Sequence, residues 1–267
     1  MNKIGLFLLV ACIAGFSSCG PDSEVNTETE KVIKGRPTVF ELYTKNQDSY
    51  HYINENQLSK IVYSDATIMD VHYSENDITA CTFTHKPPKG GPSRFDFEKV
   101  GNNRINVTLN SQNNYYVIHL DANGLPVSYN VINNDNEERV DKEFTFLPNS
   151  NQIHQKKDYF YFDQNEPTVK RINTYTYEYD NNPGTTSKIN CPVWFRLFFS
   201  DVIGLSVCDK ELSNYYNNVI KENVTAEEMG VNVPDNPIFE YHYTYDDEGY
   251  PSSVIEPRYK STITIKY

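Results

Sequence analysis

The chain has 267 residues, of which 13% are aromatic, including 21 tyrosines and 14 phenylalanines. Disordered chains are poor in aromatic side chains, so this composition excludes a chain that is disordered along its whole length. The 24 basic residues are outnumbered by 36 acidic ones, and the formal net charge of -12 argues against a nucleic-acid binder, because phosphate contacts need clustered lysine and arginine.

The first segment, residues 1–18, has the pattern of a secretory signal peptide. Lys3 supplies a positive charge, and an apolar run from Ile4 to Phe16 follows it. That run is too short to cross a bilayer as a helix, which takes about 20 residues. It ends in Phe16-Ser17-Ser18-Cys19, which resembles a lipobox and predicts that Cys19 carries diacylglycerol and acyl chains such as palmitate. The other interpretation is a plain secretory signal with an incidental cysteine.

The next segment, residues 19–37, is predicted to be a flexible acidic tether. Its part from Gly20 to Lys34 is rich in polar residues and has almost no apolar content, so it cannot bury enough surface to fold. A glycine follows Cys19 where an aspartate would favour retention at the inner membrane. We therefore expect an outer-membrane lipoprotein, held to the membrane by its lipid and facing the periplasm or the cell surface.

Residues 38–267 are predicted to form a single all-β domain. Apolar and polar residues alternate with period two, and short strands are separated by turns of Asn, Asp and Gly. This pattern predicts a large antiparallel meander of hairpins that forms a curled sheet or a partly open barrel. The expected strands are 39–43, 49–53, 58–63, 67–73, 78–84, 94–98, 104–109, 115–120, 125–132, 139–146, 158–162, 168–179, 238–245, 250–256 and 262–267.

A repeated hairpin unit lies within this pattern. The segment from Tyr116 to Pro126 aligns without a gap with the segment from Tyr241 to Pro251, and Asp, Gly and Pro match. The Asp carboxylate can accept backbone N–H bonds as the turn begins, and the Gly takes the left-handed position that closes it. A third, distorted copy runs from Tyr175 to Gly184. The alternating tyrosines form either a core, which we favour, or an aromatic platform for a sugar or another ligand.

One hydrophobic insert interrupts the strand pattern. The stretch from Pro192 to Leu205 holds the only Trp, and Thr225 to Glu228 fits a capping box, so a short helical or loop insert is predicted near 192–229. This insert either plugs one end of the curled sheet or is exposed as a partner site. In the second case the binding candidates are Trp194, Phe195 and Phe198.

Beyond the signal and Cys19, three cysteines remain. Cys191 and Cys208 flank the insert and are candidates for one disulfide in an oxidising compartment, whereas the alternative is that these two and Cys81 are buried thiols. The chain has none of the common nucleophile, phosphate-loop or zinc motifs, so we expect no catalytic residue, no metal and no cofactor. The acidic stretch from Asn133 to Glu138 lacks the central Gly of a calcium loop and is expected to be a turn.

Several of these features together resemble one family. The Tyr-x-Tyr-Asp-x-x-Gly-x-Pro hairpin at 243–251, the hydrophobic insert and Asn217-Asn218-Val219 resemble uncharacterised lipoproteins of the Bacteroidetes, domains of unknown function with a porin-like or YD-repeat-like sheet. The resemblance covers residues 38–267 and implies no activity. We therefore expect a lipid-anchored, non-enzymatic protein that binds a glycan, an apolar ligand or an envelope protein. The alternatives are a structural envelope scaffold and, with two carboxylates, a glycan hydrolase.

Overall fold

The computed structural model describes most of the chain from residue 39 onwards. The described ranges are 39–43, 48–54, 57–85, 93–110, 114–133, 135–162, 168–187, 189–203, 216–234, 236–258 and 260–267. The predicted signal peptide, Cys19, the tether and Cys208 therefore lie outside the described residues. Within the described ranges, none of the helices has the length and hydropathy that a membrane span needs.

The described residues fold as an antiparallel sheet of 18 strands with one short helical insert, which confirms the predicted all-β meander. The strands are β1 Val39–Tyr43, β2 Asp48–Asn54, β3 Gln57–Tyr63, β4 Ile68–Ser74, β5 Asp77–Thr84, β6 Ser93–Lys99, β7 Arg104–Leu109, β8 Asn114–Leu120, β9 Pro126–Ile132, β10 Glu138–Phe146, β11 Ile153–Tyr161, β12 Val169–Tyr179, β13 Val219–Glu228, β14 Val231–Val233, β15 Ile238–Glu240, β16 His242–Tyr245, β17 Pro251–Glu256 and β18 Ser261–Lys266.

The strands pair mainly with their neighbours in sequence. Each strand from β1 to β13 is antiparallel to the next, and β17 pairs with both β16 and β18. At the end of the chain β18 pairs with β1, while β15 pairs with β13. Only Tyr241 separates β15 from β16, and its N–H donates to the carbonyl of Ile220 at 2.9 Å. The stretch 238–245 therefore joins β13 on one side, through β15, to β17 on the other, through β16.

The two faces of the sheet differ in chemistry, as expected for antiparallel strands with one packed face. On the inner face, buried apolar side chains such as Ile61, Met69 and Ile105 belong to one core cluster. The outer face carries ion pairs, for example Lys60 with Asp70 at 3.5 Å. Tyrosines also contribute to the core on this inner face. Tyr116 and Tyr129 belong to the core cluster, and the partly buried Tyr177, Tyr241 and Tyr243 pack against that cluster.

The repeated Asp–Gly turns have one shared geometry. Asp121 Oδ1 accepts the N–H of Asn123 at 2.8 Å and of Leu125 at 2.9 Å, and Gly124 has φ +79°. In the second copy Asp246 Oδ1 accepts the N–H of Glu248 at 2.9 Å and of Tyr250 at 3.1 Å, and Gly249 has φ +84°. Each carboxylate therefore satisfies two backbone donors that the turn leaves without a ladder partner.

The stretch after β9 contains a further copy of this turn, which the alignment of the repeated hairpin unit did not include. Asn133 Oδ1 accepts the N–H of Asp135 at 3.0 Å and of Glu137 at 2.8 Å, and Asn136 takes the left-handed position with φ 62°. Asn thus replaces both Asp and Gly, because its amide oxygen accepts the same bonds and its short side chain tolerates positive φ. The stretch is a turn, as expected.

The hydrophobic insert contains the helix α1, Val193–Phe198, followed by a turn of π-helix, Phe199–Ile203; together we call them the plug helix. Pro192 precedes the first residue, where its missing N–H costs nothing. Every residue from Trp194 to Phe199 is buried, which places the helix in the core. Arg196 is the charged residue of this stretch, and its Nε–H donates to the Cys191 carbonyl at 2.9 Å.

The insert was predicted to lie near 192–229, but the strand β13 occupies the last part of that range. Thr225 and Glu228 lie in β13, where they pair with Thr174 and Arg171 of β12, so the predicted helical turn at this capping box is wrong. A capping box acts only on its own few residues, and the long ladder with β12 outweighs that local preference.

Candidate functional site

A cleft of about 450 Å³ lies at one end of the strands β8 to β11. Because neighbouring strands are antiparallel, this end of the sheet brings together the start of β8, the end of β9, the start of β10 and the end of β11. We call it the aromatic cleft, because six of its lining residues carry aromatic rings: Tyr115, Tyr116, Tyr159, Phe160, Tyr161 and Phe162.

The rim of the aromatic cleft is unusually exposed for such large apolar side chains. Tyr115 is 40% exposed, Phe160 is 45% exposed and Phe162 is 50% exposed. The four residues from Tyr159 to Phe162 are all aromatic, and successive side chains of a strand point to opposite faces of the sheet. Rings therefore lie on both faces at the end of β11. The core therefore cannot cover all of them, and part of the set remains at the mouth of the cleft.

Two β-bulges position charged side chains beside these rings. Asp141 is the extra residue where the β9–β10 register shifts between Val140 and Lys142, and Lys170 is the extra residue opposite the shift in β11. The Lys170 ammonium lies 5.5 Å from the Phe162 ring centroid. A bulge bends the strand and redirects its side chains, and bulges are frequent beside functional sites.

Asp141 and Arg139 are the charged groups in the lining of the aromatic cleft. The Tyr116 hydroxyl donates to Asp141 Oδ2 at 3.1 Å, and no hydrogen bond to Asp141 Oδ1 is found among the described residues. Burial raises the pKa of the Asp141 carboxyl above its usual value, and the Lys142 ammonium opposes this rise. The Arg139 guanidinium lies 5.7 Å from the Tyr161 ring centroid.

A row of alternating charges runs from Asp141 to the plug helix, and we call it the charged row. Lys142 Nζ lies 3.9 Å from Asp141 Oδ2 and 3.2 Å from Asp158 Oδ1. Lys156 Nζ lies 3.9 Å from Asp158 Oδ2 and 2.9 Å from Asp201 Oδ1. The row thus connects the lining of the aromatic cleft with the π-helical turn through five side chains.

Lys156 is held in its charged form by this row. Burial by itself would lower the pKa of Lys156, but Asp201 and other neighbouring groups outweigh it, so the pKa lies well above the usual value. The Lys156 ammonium also lies 4.7 Å from the Tyr175 ring centroid, where the ring adds attraction for a cation. Lys156 is therefore a fixed positive charge that joins β11 to the plug helix.

The structure places the three predicted binding residues in the core. Trp194, Phe195 and Phe198 are all buried, and their rings contact Phe97 at centroid distances of 5.3, 5.6 and 6.0 Å. This position agrees with the plug interpretation of the insert. None of the three lines the aromatic cleft, although Phe198 contacts its Tyr116 at 5.5 Å. A role for them in binding stays a prediction.

A second cleft, of about 380 Å³, lies beside Trp194 at the opposite ends of the strands. It is formed by the start of the plug helix and by turns such as the one at Gly124. Its lining includes Lys99 and Arg104, which are paired with Asp77 and Glu138, respectively. Trp194 is the one aromatic residue among the described residues of this lining, and it is buried, so this cleft has none of the exposed rings of the aromatic cleft and is the weaker candidate.

The predicted disulfide of Cys191 and Cys208 stays a prediction, because Cys208 lies outside the described residues. Cys191 is a buried thiol, and burial raises its pKa to about 11, opposed by Arg196. It is therefore protonated at neutral pH and is a poor nucleophile. Among the residues that the structure describes, no three His, Cys, Asp or Glu side chains are grouped as a metal site would require.

The sequence interpretation missed the aromatic cleft, although one signal was available. A half-buried strand alternates apolar and polar residues, whereas 159–162 carries four aromatic residues in a row. Such a run must leave rings on the solvent side of the strand. Asp141 and Lys170 gave no comparable signal, because their positions depend on bulges that only the pairing with other strands defines.

Comparisons with known proteins add little to this geometry. No family model matches the chain, and no curated protein matches it. One similar solved structure is that of a porin-like protein from Bacteroides uniformis, with 14% sequence identity and a TM-score of 0.37. The match covers 86% of this chain and 95% of that chain. At that score the likeness supports no inference about ligand, partner or location.

Proposed function

We propose that the chain is a lipid-anchored protein of the bacterial envelope that binds a small ligand in the aromatic cleft without converting it. The observation that carries the proposal is the convergence of three half-exposed rings, Tyr115, Phe160 and Phe162, on one cavity. Large exposed apolar groups that line a concave surface are typical of ligand sites, and the volume lies within the roughly 300–1,000 Å³ of such sites.

The hydrophobic effect supplies the driving force for such binding. Each Å² of apolar surface that a ligand removes from water contributes roughly 25 cal/mol, and three aromatic rings provide much of that surface. Asp141 and Arg139 add directional contacts inside the same cleft. A cleft that combines apolar walls with a few polar groups can both bind a ligand and select it.

The envelope location rests on the sequence alone. The lipobox-like Phe16-Ser17-Ser18-Cys19 supports a lipid on Cys19, and the polar stretch after it supports a tether that keeps the folded residues away from the bilayer. Metabolic labelling with an alkyne analogue of palmitate tests this part. Wild-type protein and a Cys208→Ser control should be labelled and Cys19→Ser should not, whereas an unacylated mature N-terminus in wild type contradicts the anchor.

Ligand binding is tested on mature protein purified from cells in a mild detergent. Saturation-transfer NMR against a library of sugars, amphiphiles and amines should reveal binders whose signal is lost in Phe160→Ala. Tyr216→Ala is the matched control, since Tyr216 is also half exposed and does not line the aromatic cleft. If no library compound binds the folded wild type, the proposed binding function fails. Chemical conversion of a bound compound would contradict its non-enzymatic character.

A structural scaffold is the second candidate, and one surface feature favours it. At the β13–β14 turn, Met229 is 70% exposed and Val231 is 69% exposed, and such a protruding apolar tip is suited to contact with another protein. A photo-crosslinking amino acid at Val231 in intact cells should then capture one discrete envelope protein. The same probe at Val100, an exposed apolar residue in the β6–β7 connection, serves as the control.

A further inference from the structure

The ring faces at the mouth of the aromatic cleft set the first requirement on a ligand. Tyr115 lies on β8, whereas Phe160 and Phe162 lie at the end of β11, so the exposed rings come from two separated strands. A matching ligand needs flat apolar faces that can pack on such rings at more than one place. Sugar rings have this property, because their C–H groups form an apolar face while their hydroxyls lie around the edge.

The charged groups of the lining exclude a purely apolar ligand. Asp141 Oδ1 has no hydrogen-bond donor among the described residues, and Arg139 lines the same cavity. A fatty acyl chain in this cavity would remove water from both groups and would offer no hydrogen bond in return. Removing water from a charged group without replacing the hydrogen bonds that water makes to it is costly, so a suitable ligand must itself carry hydrogen-bonding groups.

The signs of these charges also argue against a strongly charged ligand. A cationic ligand would approach Arg139 and Lys170, whose positive charges already lie over the rings of Tyr161 and Phe162. An anionic ligand would approach Asp141, which begins a row of three carboxylates and two ammonium groups. Because the lining holds one carboxylate and one guanidinium, a ligand of either sign meets a like charge as well as an opposite one, whereas neutral hydroxyl groups can donate to Asp141 and accept from Arg139.

We infer that the ligand of the aromatic cleft is a short neutral oligosaccharide. Its sugar rings pack on Tyr115, Phe160 and Phe162, and one of its hydroxyls donates to Asp141 Oδ1. This inference rests on the proposed function, since it names the ligand class of the same cleft. Asp141 is then the selective residue, because an isosteric amide keeps its shape but accepts a weaker hydrogen bond.

Isothermal titration of the mature protein tests the ligand class. The neutral probes are cellotetraose, maltotetraose, mannotetraose, xylotetraose and chitotetraose, and the comparison probes are tetragalacturonate, laurate and choline. We expect at least one neutral tetrasaccharide to bind. Phe160→Ala and Asp141→Asn should each weaken its binding by about tenfold or more, because each removes one of the two kinds of contact. Tyr216→Ala should bind as tightly as wild type.

The outcomes separate this inference from the proposed function. If laurate, choline or tetragalacturonate binds, loses affinity in Phe160→Ala, and no neutral sugar binds, the ligand class is wrong and the proposed binding function stands. If none of the probes nor any compound of the wider library binds, both fail. If a neutral sugar binds wild type and Phe160→Ala equally well, the inference fails, because the sugar then lies elsewhere. Far-UV circular dichroism confirms that each variant is folded.

Discussion

The plug helix is held from two sides by opposite kinds of chemistry. On one side, rings such as Phe97 and Tyr129 pack around Phe198 with centroid distances of 6.0 and 5.5 Å. On the other side, Asp201 of the same helix binds Lys156 at 2.9 Å, at the end of the charged row. The apolar side stabilises the fold by burial, whereas the charged side must first overcome the cost of removing ions from water.

This difference indicates what each side contributes. Apolar residues of similar volume often stabilise a core as well as a buried ion pair does, so the charged row is not explained by stability alone. Its other end is Asp141, which lies in the lining of the aromatic cleft. We interpret the apolar side as the anchor of the plug helix and the charged side as the support that positions Asp141 for a ligand.

The largest expected effect is on the apolar side. Phe198→Ala should lower the free energy of unfolding by about 3–5 kcal/mol, because it removes a fully buried ring and leaves a cavity between the sheet and the plug helix. Urea denaturation measures this change. Phe162→Ala is the control, since the half-exposed Phe162 ring should lose far less. Equal losses in the two variants would show that the plug helix is not packed as described.

The next effect is on the charged side. Lys156→Met should lower the free energy of unfolding by about 3 kcal/mol, because the buried Asp158 and the partly buried Asp201 lose the cation that they share, and Lys142 lies beside Asp158 alone of the two. The matched control is Lys60→Met, which breaks the exposed pair with Asp70 and should change stability by about 0.5 kcal/mol or less. A Lys156→Met protein as stable as wild type would mean that the charged row is open to water.

A double variant distinguishes the cost of an unpaired charge from the value of the pair itself. Lys156→Met combined with Asp201→Leu replaces both ions by apolar groups, so it should recover part of the stability that Lys156→Met loses. Urea denaturation of the two single variants and the double variant gives the coupling. If the two losses simply add, Lys156 and Asp201 do not interact in the way that their distance indicates.

The sequence predicted the apolar side much better than the charged side. Period-two alternation located most of the strands, though not β13 and β14, and the Asp–Gly turns were recognised from their own residues. Both signals are local, and the hydrophobic run at 193–199 marked the plug helix. The charged row arises from pairing across strands, as with Lys142 opposite Asp158, and from the bulge at Asp141. In the sequence, Lys156 and Asp158 resemble the polar residues of any solvent-facing strand.

The smallest expected effect concerns Asp141 itself. Burial raises the pKa of this carboxyl in the folded state above its unfolded value, so Asp141 favours folding below the unfolded pKa and loses that contribution as the pH rises through the folded pKa. Asp141→Asn removes this dependence and keeps an acceptor for the Tyr116 hydroxyl. We therefore expect a slightly higher Tm than wild type at pH 7, and a difference that disappears as the pH falls below the pKa of the unfolded carboxyl.

Glu138, on the outer face, provides a control of opposite sign. Burial alone would raise the pKa of Glu138, but hydrogen bonds from His119 and Asn130 and the Arg104 charge outweigh it, so the pKa is lowered. Glu138→Gln should therefore lower the Tm at pH 7, and this loss should shrink as the pH falls through the lowered pKa, where wild type also loses the contribution. If Asp141→Asn lowers the Tm at pH 7, as Glu138→Gln should, Asp141 is stabilised by its neighbours. The carboxylate in the aromatic cleft would then be part of the structural network and would not be held at a cost for a ligand.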